Sequence, residues 1–375
     1  LKVIPAFSYA LRDANLGCKG SGEVVREFFL DGETSRIDAL IKLQAFFLTR
    51  HSGQNIADTT VAKDGVELLK HLGVPVFQPV SSSRCTEEEW HSNPQGLGAE
   101  IAWSMAMPEF EGTIEPIIDG AAVHEEDMGA DLRRRVPIED RCSRVAQRVA
   151  NWVKLRRKPA AERRVAFILH NNPCASVEAT VGGGAHLDTL ESTARIMQRM
   201  QEVGYSIDAP DDGKELIDNI MDHKAVSEFR WTTVDEIVTK GGALALVAAQ
   251  EYRKWFDTLA PQVQEHMTAA WGNPPGEAMN GMPAAMVYEG NIVVTGVRYG
   301  NAVVCAQPKR GCAGSRCDGQ VCKILHDPEI PPTHQYLATY RYLENSFGAD
   351  VIVHVGTHGN LEFLPGKGTG LSSDC

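Results

Sequence analysis

The stretch HVGTHGNLEFLPGKGTG, residues 354–370, carries two kinds of chemistry at once. His354, His358 and Glu362 follow one another at intervals of four, and Lys367 stands among glycines. The lysine raises a phosphate site, but a P-loop needs G-x-x-x-x-G-K-[ST]. Gly359 and Gly366 are too far apart for that, Lys367 is followed by Gly368, and no other stretch fits. The chain is therefore not expected to hydrolyse a nucleotide itself. Imidazole with carboxylate suits borderline divalent ions such as Co2+, Ni2+ or Zn2+, and carboxylate also suits Mg2+. Gly356 and Gly359 would let the backbone turn tightly enough for the three side chains to converge. H-E-x-x-H is absent, and a structural role also fits: a histidine closing a strand, and Glu362 bonded to backbone amides.

Several elements would position these residues. ADVIVHVG (349–356) reads as a buried strand delivering the motif at its carboxyl end, where open α/β sheets bind ligands. THQYLATYRYLENSFG (333–348) reads as a helix ending at Gly348. RVAFILH (164–170) begins another strand, followed by the glycine-rich NNPCASVEATVGGGAHLDT and a helix capped at Asp188 or Thr189 and closed at Gly204. Strand, glycine loop and helix can place backbone N–H groups at a ligand, although a plain crossover fits too. The loop lacks G-x-G-x-x-G, so a nicotinamide or flavin is not indicated. EGNIVVTGVRYGNAVVCAQP (289–308) predicts two β-rich runs joined by a hairpin at RYGN.

Nearer the start, LKVIPAF (1–7) reads as a core strand and IDALIKLQAFFL (37–48) as a helix feeding a strand. GVELLKHLGVPVFQPV (65–80) predicts a helix ending at Gly73 and a buried strand; IAWSMAMPEF (101–110) predicts a second strand region. IEDRCSRVAQRVANWVKLRRK (138–158) is an amphipathic helix, and GGALALVAAQ (241–250) a buried one. The alternation predicts an α/β chain of more than one domain, with mostly parallel sheets flanked by helices. Residues 1–140 would form one domain; residues 141–375 would form another, with a helical insertion at about 212–272 and the motif.

Composition narrows the function classes. At 375 residues the hydrophobic fraction of 43% and charged fraction of 23% are ordinary for a globular protein. The net charge of −12 argues against a general nucleic-acid or membrane-surface binder. No apolar run approaches the roughly 20 residues that span a bilayer. An odd number of scattered cysteines, nine, fits a reducing, cytoplasmic setting better than a disulfide framework. The apolar start and the motif-dense end read as those of a fragment of a larger chain. Cys305, Cys312, Cys317 and Cys322 lie close together and, with Cys375, offer thiolates for an iron–sulfur cluster or zinc. Their spacing matches no standard ligand pattern, and Cys305 also fits as a small core hydrophobe.

The motif, preceded by HDPEIPPTHQYLATYRYLENSFGAD, resembles the large subunit shared by cobaltochelatase and magnesium chelatase, where it is the H subunit. VPVFQPV, MPEFEGTIEP, RRVAFILHNNP, LDTLEST and the QPKRG turn agree, so the resemblance covers most of the chain. It implies a tetrapyrrole substrate, insertion of a divalent metal, and ATP hydrolysed on separate AAA+ partner subunits. Glu362 matches the acidic position of the family's H-G-x-L-E-[WF] motif, implying metal handling or proton removal. His354 and His358 match the two preceding histidines, completing a catalytic and metal-binding set. His334 matches the histidine of P-P-x-H-x-Y, and Gln307 and Arg310 lie in the QPKRG turn; all three are expected at the substrate. Lys367 would meet a tetrapyrrole carboxylate or form a structural salt bridge. Thr357 and Phe363 follow the magnesium pattern, whereas Asn360 and Leu364 follow the cobalt one. The expectation is Co2+ into a corrinoid precursor. Mg2+ into protoporphyrin IX, or a non-catalytic tetrapyrrole-binding module, are the alternatives.

Overall fold

A computed structural model describes residues 2–7, 19–48, 60–127, 130–171, 180–228, 232–278, 284–310 and 329–375. The chain divides into two units. One is Leu1–Arg157 with Gly366–Ser372, and the other is Lys158–Pro365 with Ser373–Cys375. Both are α/β, with several sheets flanked by helices. Among the described residues no helix is long and apolar enough to cross a membrane.

The first unit is built on short strands. β1 (Leu40–Ile41) pairs in parallel with β2 (Val76–Phe77). Between them in sequence, helix α1 (Thr60–Leu72) ends at Gly73, whose φ of +61° closes it. It buries Leu68, Leu69 and Leu72 against Val25, Phe29 and Leu48. β3 (Val80–Ser81) pairs with β4 (Ile118–Asp127), which forms a long antiparallel ladder with β5 (Ala130–Pro137). α2 (Glu87–Ser92) is capped by the Thr86 hydroxyl, which accepts from the Glu89 N–H. α3 (Glu139–Arg157) is the amphipathic helix expected from sequence. It lays Val145 and Val149 on Phe77, within this first unit.

Three sequence expectations fail here. Residues 2–7 form no strand among the described residues, and Val3 (76%) and Phe7 (88%) are exposed. Residues 37–48 contain no helix, because the Leu40 and Lys42 N–H groups donate to the Pro75 and Phe77 carbonyls. Ile101–Ala106 is a wide helical turn, not a strand. It continues into Met107–Glu109, which contains Pro108.

Residues 366–372 complete this unit. The Leu97 N–H donates to the Thr369 carbonyl (3.3 Å), and the Trp90 indole donates to the Gly370 carbonyl (2.7 Å). Gly96 is held at φ +72°, and a Cβ there would lie 1.8 Å from the Thr369 oxygen, so no side chain fits.

The second unit contains a four-stranded sheet whose strands are, in spatial order, residues 297–299, 302–306, 165–169 and 351–355. β6 (Val165–Leu169) is its fully buried centre, parallel to β11 (Ala302–Ala306) on one side and β12 (Val351–Val355) on the other. β10 (Val297–Tyr299) joins β11 through the expected hairpin at Gly300–Asn301. α4 (Thr189–Glu202), capped by Asp188, and α5 (Gly213–Asp222), capped by Asp212, cover one face. α6 (Val234–Thr239), α7 (Ala249–Phe256) and α8 (Pro261–Trp271) follow. Among them runs β7 (Ala243–Val247), where the sequence reading expected a buried helix. Five apolar residues after paired glycines are too few for a helix, and β7 pairs with β9 (Asn291–Thr295), itself next to β8 (Val287–Tyr288). Helix α9 (His334–Arg341) and the wide turn after it pack Leu343 and Phe347 over the other face of the four-stranded sheet.

Candidate functional site

β12 delivers the histidine–glutamate stretch at its carboxyl end. Side chains alternate along it: Val351, Val353 and Val355 join the core beneath α4 and α5, while Ile352 and His354 turn to the α9 face. The strand then bends at Gly356, where a Cβ would meet the His170 Cβ at 2.5 Å, so this close approach requires glycine. The Thr357 hydroxyl accepts the Ala185 N–H (3.2 Å), tying the bend to the segment that leads into α4.

Beyond the bend one residue points inward and its neighbours outward. Asn360 is 2% exposed. Its backbone N–H donates to the Gln307 Oε1 (2.9 Å), and its side-chain amide donates to the Pro308 carbonyl (3.3 Å). Two residues to either side, His358 and Glu362 face solvent, with the His358 Nδ1 3.2 Å from the Glu362 Oε1. The anchored asparagine thus holds the exposed pair on a short, tight turn, Leu361–Phe363.

Gln307 is the hub of that anchor. It is 1% exposed at the end of β11, and its amide nitrogen donates to the hydroxyls of Tyr336 (3.3 Å) and Tyr340 (3.2 Å) on α9. Burial raises both phenols, that of Tyr340 to about 12, so each stays a neutral hydroxyl. Tyr340 stacks on the His354 imidazole, with centroids 5.8 Å apart and planes 13° from parallel. Desolvation lowers the His354 pKa, although the residue as a whole is exposed.

The remaining expected residues go to different places. His334 is buried (3%) at the first position of α9. Its Nε2 lies 2.9 Å from the Gly272 carbonyl and its Nδ1 2.8 Å from the Tyr252 hydroxyl. The carbonyl only accepts, so Nε2 carries the proton and Nδ1 receives the phenol's. Burial lowers its pKa, and the neutral ring clasps α9 to α7 and α8 with both nitrogens used. The sequence reading expects it at the substrate; in this structure both ring nitrogens are engaged in the core. Arg310 is likewise buried, its charge near Tyr336. Lys367 belongs to the first unit, where its Nζ donates to the His91 (2.8 Å) and Asn93 (2.9 Å) carbonyls at the end of α2. These two carbonyls lie at the C-terminal end of α2, where a cation is favoured.

His354 does not join the His358–Glu362 pair. Among the described residues no group of three His, Cys, Asp or Glu side chains is placed to hold a metal ion. Cys305 is fully buried in β11, and burial raises its thiol to about 12. Its sulfur faces the core beside Leu343, and Cys375 is exposed. Cys312, Cys317 and Cys322 lie outside the described residues. The sequence reading missed Tyr336, Tyr340 and Asn360 as positioning groups. The signal was present in the two tyrosines, four apart on one helix face.

The comparisons with known proteins agree on one family. Its model, described as CobN/Magnesium Chelatase, matches residues 1–375. An uncharacterized protein of Methanocaldococcus jannaschii is 50% identical over all of this chain and 30% of its own length. The aerobic cobaltochelatase subunit CobN of Pseudomonas aeruginosa is 35% identical over 80% of this chain and 23% of its own. Among solved structures, the catalytic subunit of cobaltochelatase from Mycobacterium tuberculosis matches with a TM-score of 0.71 and 31% identity. That match covers 90% of this chain and 27% of the other. The chain thus spans less than a third of the length of these proteins.

Proposed function

The chain belongs to the CobN/magnesium chelatase family, and we propose that its His358–Glu362 pair handles the metal and the pyrrole protons when a divalent ion is inserted into a tetrapyrrole. Insertion requires the ion to shed water and the macrocycle to lose two N–H protons. A carboxylate can accept a proton and a neutral imidazole can hold an incoming ion or relay the proton onward. The observation that carries this reading is the 3.2 Å contact between two solvent-facing side chains on a turn whose centre, Asn360, is pinned inside. An exposed, mutually oriented pair is free to meet a ligand. The buried Gln307 and tyrosines orient it and need not touch the substrate.

Cobalt into a corrinoid precursor is the reading we take for the substrate; Asn360 and Leu364 favour it, and Asn360 is the residue that anchors the turn. Thr357 and Phe363 favour the second reading, magnesium into protoporphyrin. In both, AAA+ partner subunits in the cytoplasm supply ATP hydrolysis, in keeping with the absence of P-loop spacing in the sequence. The test is Glu362→Gln, assayed for insertion with the ATPase partners and separately for macrocycle binding. Loss of a general base should slow insertion by about 10²–10⁴-fold while tetrapyrrole affinity holds. Insertion at the wild-type rate would defeat the assignment.

A further inference from the structure

We propose that the outward face of the His354 ring, backed by Tyr340, is the platform on which the flat face of the tetrapyrrole rests, so that His354 orients the macrocycle and does not bind the ion. The inference deepens the chelatase reading and rests on it.

Three observations carry it. The first is the stack itself: one π-face of the imidazole lies against Tyr340 at 5.8 Å and 13°. Tyr340 is fixed in turn by Gln307, and the residue His354 remains exposed. A metal ligand works through a ring nitrogen at the edge; a ring held flat by a neighbour offers its opposite face instead. The second is the strand. Sheets with parallel strands normally bury both faces, yet β12 leaves Ile352 (36%) and His354 exposed together beside α9. Leu361 (46%) and Phe363 (44%) are exposed on either side of Glu362. Exposed apolar and aromatic groups around polar chemistry mark a binding surface, and a planar, apolar-faced macrocycle fits one. The third is that His358 and Glu362 pair without His354.

The reading separates two substitutions. His354→Phe keeps a flat ring and loses both nitrogens; His354→Ala loses the ring. Both are read in the full chain, after thermal melts show that each variant folds, by fluorescence titration with protoporphyrin and with a metal-free corrinoid precursor. Equilibrium dialysis with Co2+ alone gives metal affinity. The expected result is tetrapyrrole Kd within about twofold of wild type for His354→Phe and weaker by about tenfold for His354→Ala, with Co2+ affinity unchanged in both. Equal weakening of macrocycle binding in both variants, no weakening in either, or loss of Co2+ affinity in both would overturn the platform and leave the chelatase reading standing. A wild-type chain that binds neither tetrapyrrole would overturn the chelatase reading itself.

Discussion

Two glutamates in similar-looking motifs have opposite fates. In PEFEGTIEP, Glu111 is 2% exposed and accepts the Leu48 N–H at 2.7 and 2.8 Å. Its carboxylate lies 3.5 Å from the buried Lys42 ammonium, whose pKa falls to about 8 because desolvation outweighs the attraction of Glu111. A Cβ on Gly65 would approach the Glu111 oxygen to 2.1 Å, so the backbone itself is shaped around this carboxylate. In HGNLEFLPG, Glu362 and its partner His358 are open to water, and the interior bond is made instead by Asn360. Both motifs pair a carboxylate with a basic group. Burial makes the first a fixed strut of one unit; exposure leaves the second able to exchange its partner for a ligand.

The largest effect should come from breaking the strut. Glu111→Gln leaves the Lys42 charge buried without its counter-charge, and urea unfolding should show a loss of about 3–5 kcal/mol. A loss under 1 kcal/mol would mean that the pair is solvated and the contrast is false. Next comes the hub. Gln307→Ala strands the buried Asn360 N–H and should cost about 1–3 kcal/mol. Amide exchange at Asn360 should accelerate in that variant, sharpening the claim that the turn is held from inside. The smallest stability effect belongs to the exposed pair: Glu362→Ala should stay within about 0.5 kcal/mol of wild type, with little dependence on salt. If it destabilised the chain as Glu111→Gln does, the pair would be structural and the proposed chemistry would lose its basis.

The sequence alone revealed what local rules decide. The helix from Asp188 to Gly204 was legible from its cap and terminal glycine, the strand RVAFILH from its unbroken apolar run, and the RYGN hairpin from its turn residues. ALALV and IAWSMAM were misread because a short apolar run has no period of its own, and neighbours distant in sequence decide it. The site follows the same division. The spacing of four that brings His358 to Glu362 is local and visible in the sequence, although the sequence reading adds His354 to the set. The Tyr252 and Gly272 partners of His334, and the Gln307 partner of Asn360, lie more than fifty residues away. Nothing in a single motif announces such partners.

The return of residues 366–372 to the first unit has a consequence for synthesis. A nascent chain emerges from the ribosome in order, yet at residue 157 its first unit still lacks the segment that pairs with Gly96 and receives the Trp90 indole bond. Residues 158–365 of the second unit emerge before that segment does. The first unit is therefore completed only after residues 158–365 have been made, and a ribosome stalled short of Gly370 would hold a first unit whose Trp90 indole lacks that carbonyl.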